Sequence, residues 1–228
     1  YKTYLEKRMA YRTESKQGTE SLNKAYQFLY LGLLDVRMGK PEEAKKKLEA
    51  ILAQAASVEG KEKDFNQLAA NQLKREILFA QGAYDAALKA FQEAPPIQID
   101  LSAAPTVQGK NLPFQADFAA RVHLAKGMKD AALREYERLV SPDAKARESA
   151  LIHPFARLRL AALYEAKGDL DRAFEQYKSL AALWKHADGK IPEVETVRKK
   201  LALLKSKTAK PTGASVDSFY PLPFIGTL

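Results

Sequence analysis

The chain has 228 residues with 37 Lys and Arg against 28 Asp and Glu, so it carries a formal net charge of +9, and it contains no Cys. The absence of Cys excludes a disulfide scaffold, a thiolate zinc site and a Cys nucleophile. No run of about 18 apolar residues occurs, so no segment is predicted to span a membrane.

Helical spacing of apolar residues extends over most of the chain, to about residue 206, and Ala, Leu, Lys, Glu and Gln dominate the composition. Residues 1–16 are polar with a helical pattern and are predicted to form a leading half-hairpin or cap. The chain begins at Tyr1 rather than Met, which indicates a mature form or a fragment. The lack of Cys leaves the compartment open, with the cytoplasm favoured over the periplasm.

Four segments share one pattern: a glycine, an alanine five residues later and a large apolar residue nine residues later. A glycine can end a helix in the left-handed conformation, and a small alanine lets a second helix cross the first closely. We therefore predict helical hairpins that bury their apolar faces by stacking on one another. The predicted hairpins cover residues 22–56, 65–95, 113–141 and 153–184, with glycines at Gly39, Gly82, Gly127 and Gly168 and alanines at Ala44, Ala87, Ala132 and Ala173.

This pattern resembles the tetratricopeptide repeat (TPR) family, most closely in the fourth segment, LAALYEAKGDLDRAFEQYKSL. Its family-type residues are Leu160, Ala161, Tyr164, Gly168, Ala173 and Tyr177. The glycines are 43, 45 and 41 residues apart, whereas family repeats run to about 34, so we expect longer helices or inserted loops. The resemblance implies an all-α, right-handed superhelix of about four hairpins, closed by a capping helix over residues 191–206.

A second resemblance covers residues 153–205. The turn that contains Leu183, Trp184, Lys185, Ala187 and Asp188 is similar to the closing segment of TPR arrays in bacterial multidomain signalling proteins. This similarity implies a bacterial origin and a sensor or adaptor role, with the catalytic or DNA-binding part outside this chain.

Two regions interrupt the helical pattern. Residues 95–113 form a proline-containing insert that is too long for a hairpin turn. Residues 207–228 form a tail in which Pro221 and Pro223 exclude a helix. We predict that the tail packs as an extended strand into a groove of its own chain or of a neighbour, which would allow self-association; the alternative is that it only covers apolar surface. The predicted contact residues are Phe219, Tyr220, Leu222, Phe224 and Ile225.

The TPR resemblance implies that the first helix of each hairpin lines a concave groove for a peptide or a partner helix. The candidate lining residues are Tyr26, Tyr30, Phe79, Phe114, Phe118, Arg121, Phe155 and Arg159. Aromatic side chains and Arg are typical of protein-binding surfaces. The alternative is that several of them pack between adjacent helices. Leu29 and Leu33 occupy positions where chaperone-binding TPR domains carry Lys and Asn, which argues against capture of an acidic chaperone tail.

Basic residues cluster at Lys45–Lys47 and between Lys190 and Lys210. Both clusters lie in helical stretches, where Lys is a good surface residue. No aromatic RNA-binding motif or zinc finger accompanies them. A solvated face is therefore favoured, and a basic nucleic-acid-binding module remains the alternative.

No catalytic motif stands out, because the sequence has neither a phosphate-binding glycine loop nor a nucleophile elbow. His123 is interpreted as a packed imidazole, His153 as a residue at a helix start and His186 as exposed. We therefore predict a non-catalytic protein-interaction module, an adaptor or assembly subunit that binds a protein or peptide and needs no cofactor or metal.

Overall fold

The computed structural model describes residues 3, 7, 20–93, 116–143, 145 and 153–208. Within these residues the chain forms helices and no strand, which confirms the predicted all-α class. The helices are α1 Glu20–Arg37, α2 Pro41–Ala56, α3 Gly60–Ala80, α4 Tyr84–Glu93, α5 Phe118–Ala125, α6 Lys129–Val140, α7 Pro154–Ala166, α8 Leu170–Leu183 and α9 Pro192–Thr208. No helix in this described part is long and apolar enough to cross a membrane.

The hairpin glycines end the first helix of each pair, as predicted. Gly39, Gly82, Gly127 and Gly168 have φ values of 71°, 76°, 74° and 78°, in the left-handed region that favours glycine. At three of these turns the residue after the glycine donates its N–H to a carbonyl five residues earlier. These bonds join Lys40 to Asp35 (2.8 Å), Ala83 to Leu78 (2.9 Å) and Asp169 to Tyr164 (2.9 Å). The turns thereby pair carbonyl groups that the end of the helix would leave without a donor.

The alanines five residues after the glycines are completely buried. Ala44, Ala87, Ala132 and Ala173 are each 0% exposed. Each lies in the first turn of the second helix of its pair, after a glycine turn that brings the helices together. A larger side chain at any of these positions would have to displace its neighbours.

The chain divides into two compact units, Tyr1–Lys126 and Gly127–Leu228. In the first unit α1 packs against α2 and α3, α2 against α3, α3 against α4, and α4 against α5. The main core of this unit is lined by Leu29, Leu33, Ala44, Ile51, Ala69, Ala70, Leu73 and Ile77. Helices α1 and α3 approach so closely at Gly32 that an added Cβ would lie 2.6 Å from Cδ2 of Leu73.

In the second unit the helices pack in sequence, α6 on α7, α7 on α8 and α8 on α9. Helix α9 buries Val194, Val197 and Leu204, while Arg198 and Lys199 on the same helix are exposed. This division into an apolar and a basic face is typical of a helix that closes a stack. The insert at 95–113 and the tail from residue 209 onward lie outside the described residues.

Candidate functional site

Two of the predicted groove residues lie next to each other on α1 and, with a third aromatic residue on α3, form a row of rings. The rings of Tyr26 and Tyr30 stack with centroids 6.1 Å apart and planes at 6°. The ring of Phe65, on α3, lies 4.6 Å from that of Tyr26. All three side chains are half-buried. We call Tyr26, Tyr30 and Phe65 the aromatic strip; it lies where α1 and α3 are in contact.

A polar network next to the strip fixes the helices that carry it. Asn66 Nδ2 donates to Ser21 Oγ at 3.1 Å and to the Glu62 carbonyl oxygen at 2.7 Å. Gln54 Nε2 also donates to Ser21 Oγ, at 2.8 Å. Because these residues belong to α1, α2 and α3, the network joins all three helices. The strip therefore lies on a rigid base, which lowers the entropic cost of binding.

Phe118 does not line an exposed groove. Its side chain is 0% exposed and belongs to a small core with Ala87 and Val122. The rings of Phe79 and Phe91 lie 6.0 Å and 5.5 Å from it. Phe118 is thus a core residue of the first unit, and its prediction as a groove residue is corrected. Phe79 remains half-buried.

Arg121 is engaged by two carboxylates. Its Nη2 and Nη1 lie 2.6 Å and 3.2 Å from the two oxygens of Glu76, and its Nε lies 3.1 Å from Oδ1 of Asp117. The guanidinium group also stacks on the rings of Phe79 (5.2 Å) and Phe118 (5.1 Å). A partner could use Arg121 only by competing with these groups.

A second guanidinium group, that of Arg75, lies close by and was not among the predicted site residues. It is 1% exposed and stacks on Phe91 and Phe118, at 5.0 Å and 4.9 Å from their centroids. Burial lowers its pKa to about 10, and the nearby carboxylate of Glu76 opposes that shift. We call Arg75, Glu76, Asp117 and Arg121 the charge cluster.

The sequence contained a signal for Arg75 in the register of the hairpins. The residue seven positions before the turn glycine is Gly32, Ala120 or Ala161 in the other three segments, and each of these small residues is buried. Arg75 holds the same position in the second segment. A charged residue at a position reserved for small side chains marks a departure from the pattern.

The remaining predicted residues belong to the second unit or lie outside the described part. Phe155 and Arg159 are half-buried, one turn apart on α7. His153 caps that helix, since its Nδ1 accepts the N–H of Phe155 at 3.2 Å. His123 is half-buried and His186 is exposed. Phe114 and the tail residues Phe219, Tyr220, Leu222, Phe224 and Ile225 lie outside the described residues.

The buried tyrosines of the second unit have structural partners. Tyr164 Oη donates to Glu137 at 2.8 Å, and burial with this bond raises the pKa of Tyr164 to about 12. Tyr177 Oη donates to Glu165 at 2.6 Å, and Lys200 of α9 donates to the same carboxylate at 3.0 Å. Burial raises the pKa of Tyr177 as well. These bonds connect α6 to α7 and α7 to α8 and α9.

Many basic side chains are neutralised by acidic neighbours. Lys45 pairs with Glu42, Lys46 with Glu43, and Lys47 with the buried Asp35 at 2.6 Å. These pairs are consistent with a solvated face, and the exclusion of nucleic acid stays a prediction. In the described ranges no three His, Asp or Glu side chains lie close enough to hold a metal ion together.

No protein-family model and no curated protein matches the chain. Two solved structures are similar, both of nearly identical TPR-like repeats attributed to a Podosopora anserina kinesin light chain, one with a Q17M substitution. They share 19% and 20% sequence identity with this chain, each with a TM-score of 0.54, and cover 84% of this chain and 90% of their own. They do not bear on the predicted bacterial signalling origin, which stays a prediction. Similarity over this length, together with the four glycine turns and their buried alanines, shows that the chain has the TPR-like helical-repeat fold.

Proposed function

We propose that the chain is a non-catalytic protein-interaction module, an adaptor or assembly subunit that binds a peptide or a partner helix. The observation that carries this proposal is the aromatic strip, in which three large rings are only partly buried on a rigid base. A folded chain gains little from leaving such rings partly in water. Aromatic side chains of this kind contribute most of the binding energy at many protein interfaces.

The strip is small enough to be tested directly. We propose to immobilise the full chain and the double variant Tyr26→Ala/Tyr30→Ala, and to identify captured proteins by quantitative mass spectrometry. Leu52→Ala is the control, because Leu52 is a large apolar residue on α2 that is more exposed than either tyrosine, at 50%. We expect the double variant to lose partners that the control retains. Equal capture by all three proteins would refute the proposal.

Self-association through the tail is a second part of the proposal. The segment SFYPLPFIGTL contains large apolar side chains and two prolines that prevent it from forming a helix of its own. An extended peptide of this composition is suited to an apolar groove of a second chain. This part is supported by the composition of the tail.

A further inference from the structure

Two buried polar side chains on α3 carry atoms that have no hydrogen-bond partner among the described residues. Gln72 and Arg75 are 4% and 1% exposed and lie one turn apart on α3, so they are neighbours on the helix surface. Among the described residues, nothing pairs with Nε2 or Oε1 of Gln72, or with Nε and Nη2 of Arg75. Buried groups of this kind are rare in folded proteins, and each calls for an explanation.

The nearby carboxylates do not supply hydrogen-bond acceptors for Nε and Nη2 of Arg75. Both oxygens of Glu76 accept from Arg121, and Oδ1 of Asp117 accepts from the same guanidinium group. Arg75 is left facing the rings of Phe91 and Phe118. The two rings stabilise the positive charge of Arg75 by stacking. They do not accept hydrogen bonds from the N–H groups, which point outward in the plane of the guanidinium. In the part of the chain that the structure describes, Nε and Nη2 of Arg75 therefore lack an acceptor.

The geometry of the unpaired atoms indicates which acceptor fits. The Nε–H and one Nη2–H of an arginine lie on the same edge of the planar group, spaced to meet the two oxygens of a carboxylate. Nε2 of Gln72 adds a third donor one turn away. The fold itself does not demand an arginine here, since the equivalent positions hold Gly32, Ala120 and Ala161.

We propose that Gln72 and Arg75 form a carboxylate-binding site that receives an Asp or Glu side chain of a bound protein segment. This inference rests on the proposed protein-binding function and specifies the chemistry of the partner. Phe91 stacks on the guanidinium group and is half-buried, so displacement of its side chain would give a partner access to Arg75, and such side-chain changes are common on binding. The net charge of +9 favours an acidic partner.

Nuclear magnetic resonance of the full chain tests the site. The arginine Nε–Hε signal of Arg75 is assigned with Arg75→Lys, and the chain is titrated with the end-capped peptide Ala-Leu-Glu-Leu-Ala or its Gln counterpart. We expect a saturable shift of the Arg75 signal with the Glu peptide and at least about tenfold weaker binding of the Gln peptide. No shift of the Arg75 signal, or the same shift with both peptides, would overturn the inference.

A second variant separates a binding role from a structural one. Arg75→Met keeps the volume of the side chain and removes its charge. If Arg75 binds carboxylates, this variant stays folded and loses the rise in melting temperature that the Glu peptide gives the native chain. If the Glu peptide still raises the melting temperature of Arg75→Met, the carboxylate site is refuted. The proposed protein-binding function would still stand if capture of partners depends on Tyr26 and Tyr30. Conversely, unchanged capture by Tyr26→Ala/Tyr30→Ala would refute the proposed function. It would not affect the shift of the Arg75 Nε–Hε signal that the Glu peptide causes.

Discussion

Arg121 Nη2 lies 2.6 Å from Glu76 Oε1, and their side chains are only 17% and 8% exposed. This ion pair joins α5 to α3, and a second bond from Nη1 makes it bidentate. Because both groups are largely withdrawn from water, neither can be removed without leaving the other charge poorly solvated.

We therefore expect Glu76→Gln and Arg121→Gln each to lower the free energy of unfolding by about 3 kcal/mol. The double variant should lose less than the sum of the two, with a coupling energy of about 2 kcal/mol. Urea unfolding followed by circular dichroism measures all four proteins. Asp117→Asn is a useful comparison, since Asp117 Oδ1 lies farther from Arg121, at 3.1 Å from Nε. Strictly additive losses would show that the pair does not couple.

The burial of the alanines predicts that the same substitution has different effects on stability at two positions of one helix. Ala173 is 0% exposed, whereas Ala182, also on α8, is exposed. Ala173→Leu should lower the free energy of unfolding by about 1–3 kcal/mol, because the added methylenes have no space. Ala182→Leu should change it by less than about 0.5 kcal/mol. Similar effects at both positions would contradict the close helix crossing.

His153 predicts a pH effect on stability. Burial lowers the pKa of His153 below its usual value of 6.5, and its Nδ1 must be unprotonated to accept the N–H of Phe155. The unfolded chain therefore binds the proton first, and stability falls as the pH drops below about 6.5, until it reaches the folded-state pKa. The slope of unfolding free energy against pH between 7 and 5.5 should decrease in His153→Asn, which keeps a capping side chain. An unchanged slope would assign the effect to other groups.

The tail prediction is tested by truncation. Deletion of residues 211–228 should lower the oligomeric state if the tail enters a neighbour's groove, and should increase binding of an apolar dye if it covers its own chain. Multi-angle light scattering and dye fluorescence distinguish the two cases. A chain that behaves identically after the deletion would rule out both.

The turn glycines and their buried alanines could be predicted from the sequence because each depends on local chemistry. Gly39 and Gly168 were recognisable since only glycine adopts a left-handed backbone at little cost. The site was harder to predict, because exposure depends on how helices pack. Phe118 has the residue type of a groove anchor, yet Phe79 and Phe91 enclose it.

The ion pairs of Arg121 could not be predicted from the sequence either. Glu76 and Asp117 are 41 residues apart in sequence, and nothing local indicated that Arg121 would hold both. Arg75 could have been noticed in the sequence, because it occupies a position that holds a small residue in the other three segments. This departure is seen only when the four segments are aligned on their glycines. Phe65 lay outside the first-helix positions that the TPR resemblance assigns to the groove, so ring contacts were needed to find it.

The proposed function requires the aromatic strip to bind a protein partner. Its most direct test is the dissociation constant of a purified captured partner, measured by calorimetry for the native chain, Tyr26→Ala/Tyr30→Ala and Leu52→Ala. We expect the double variant to bind at least about tenfold more weakly while Leu52→Ala stays close to the native value. Equal affinities for all three folded proteins would contradict the claim.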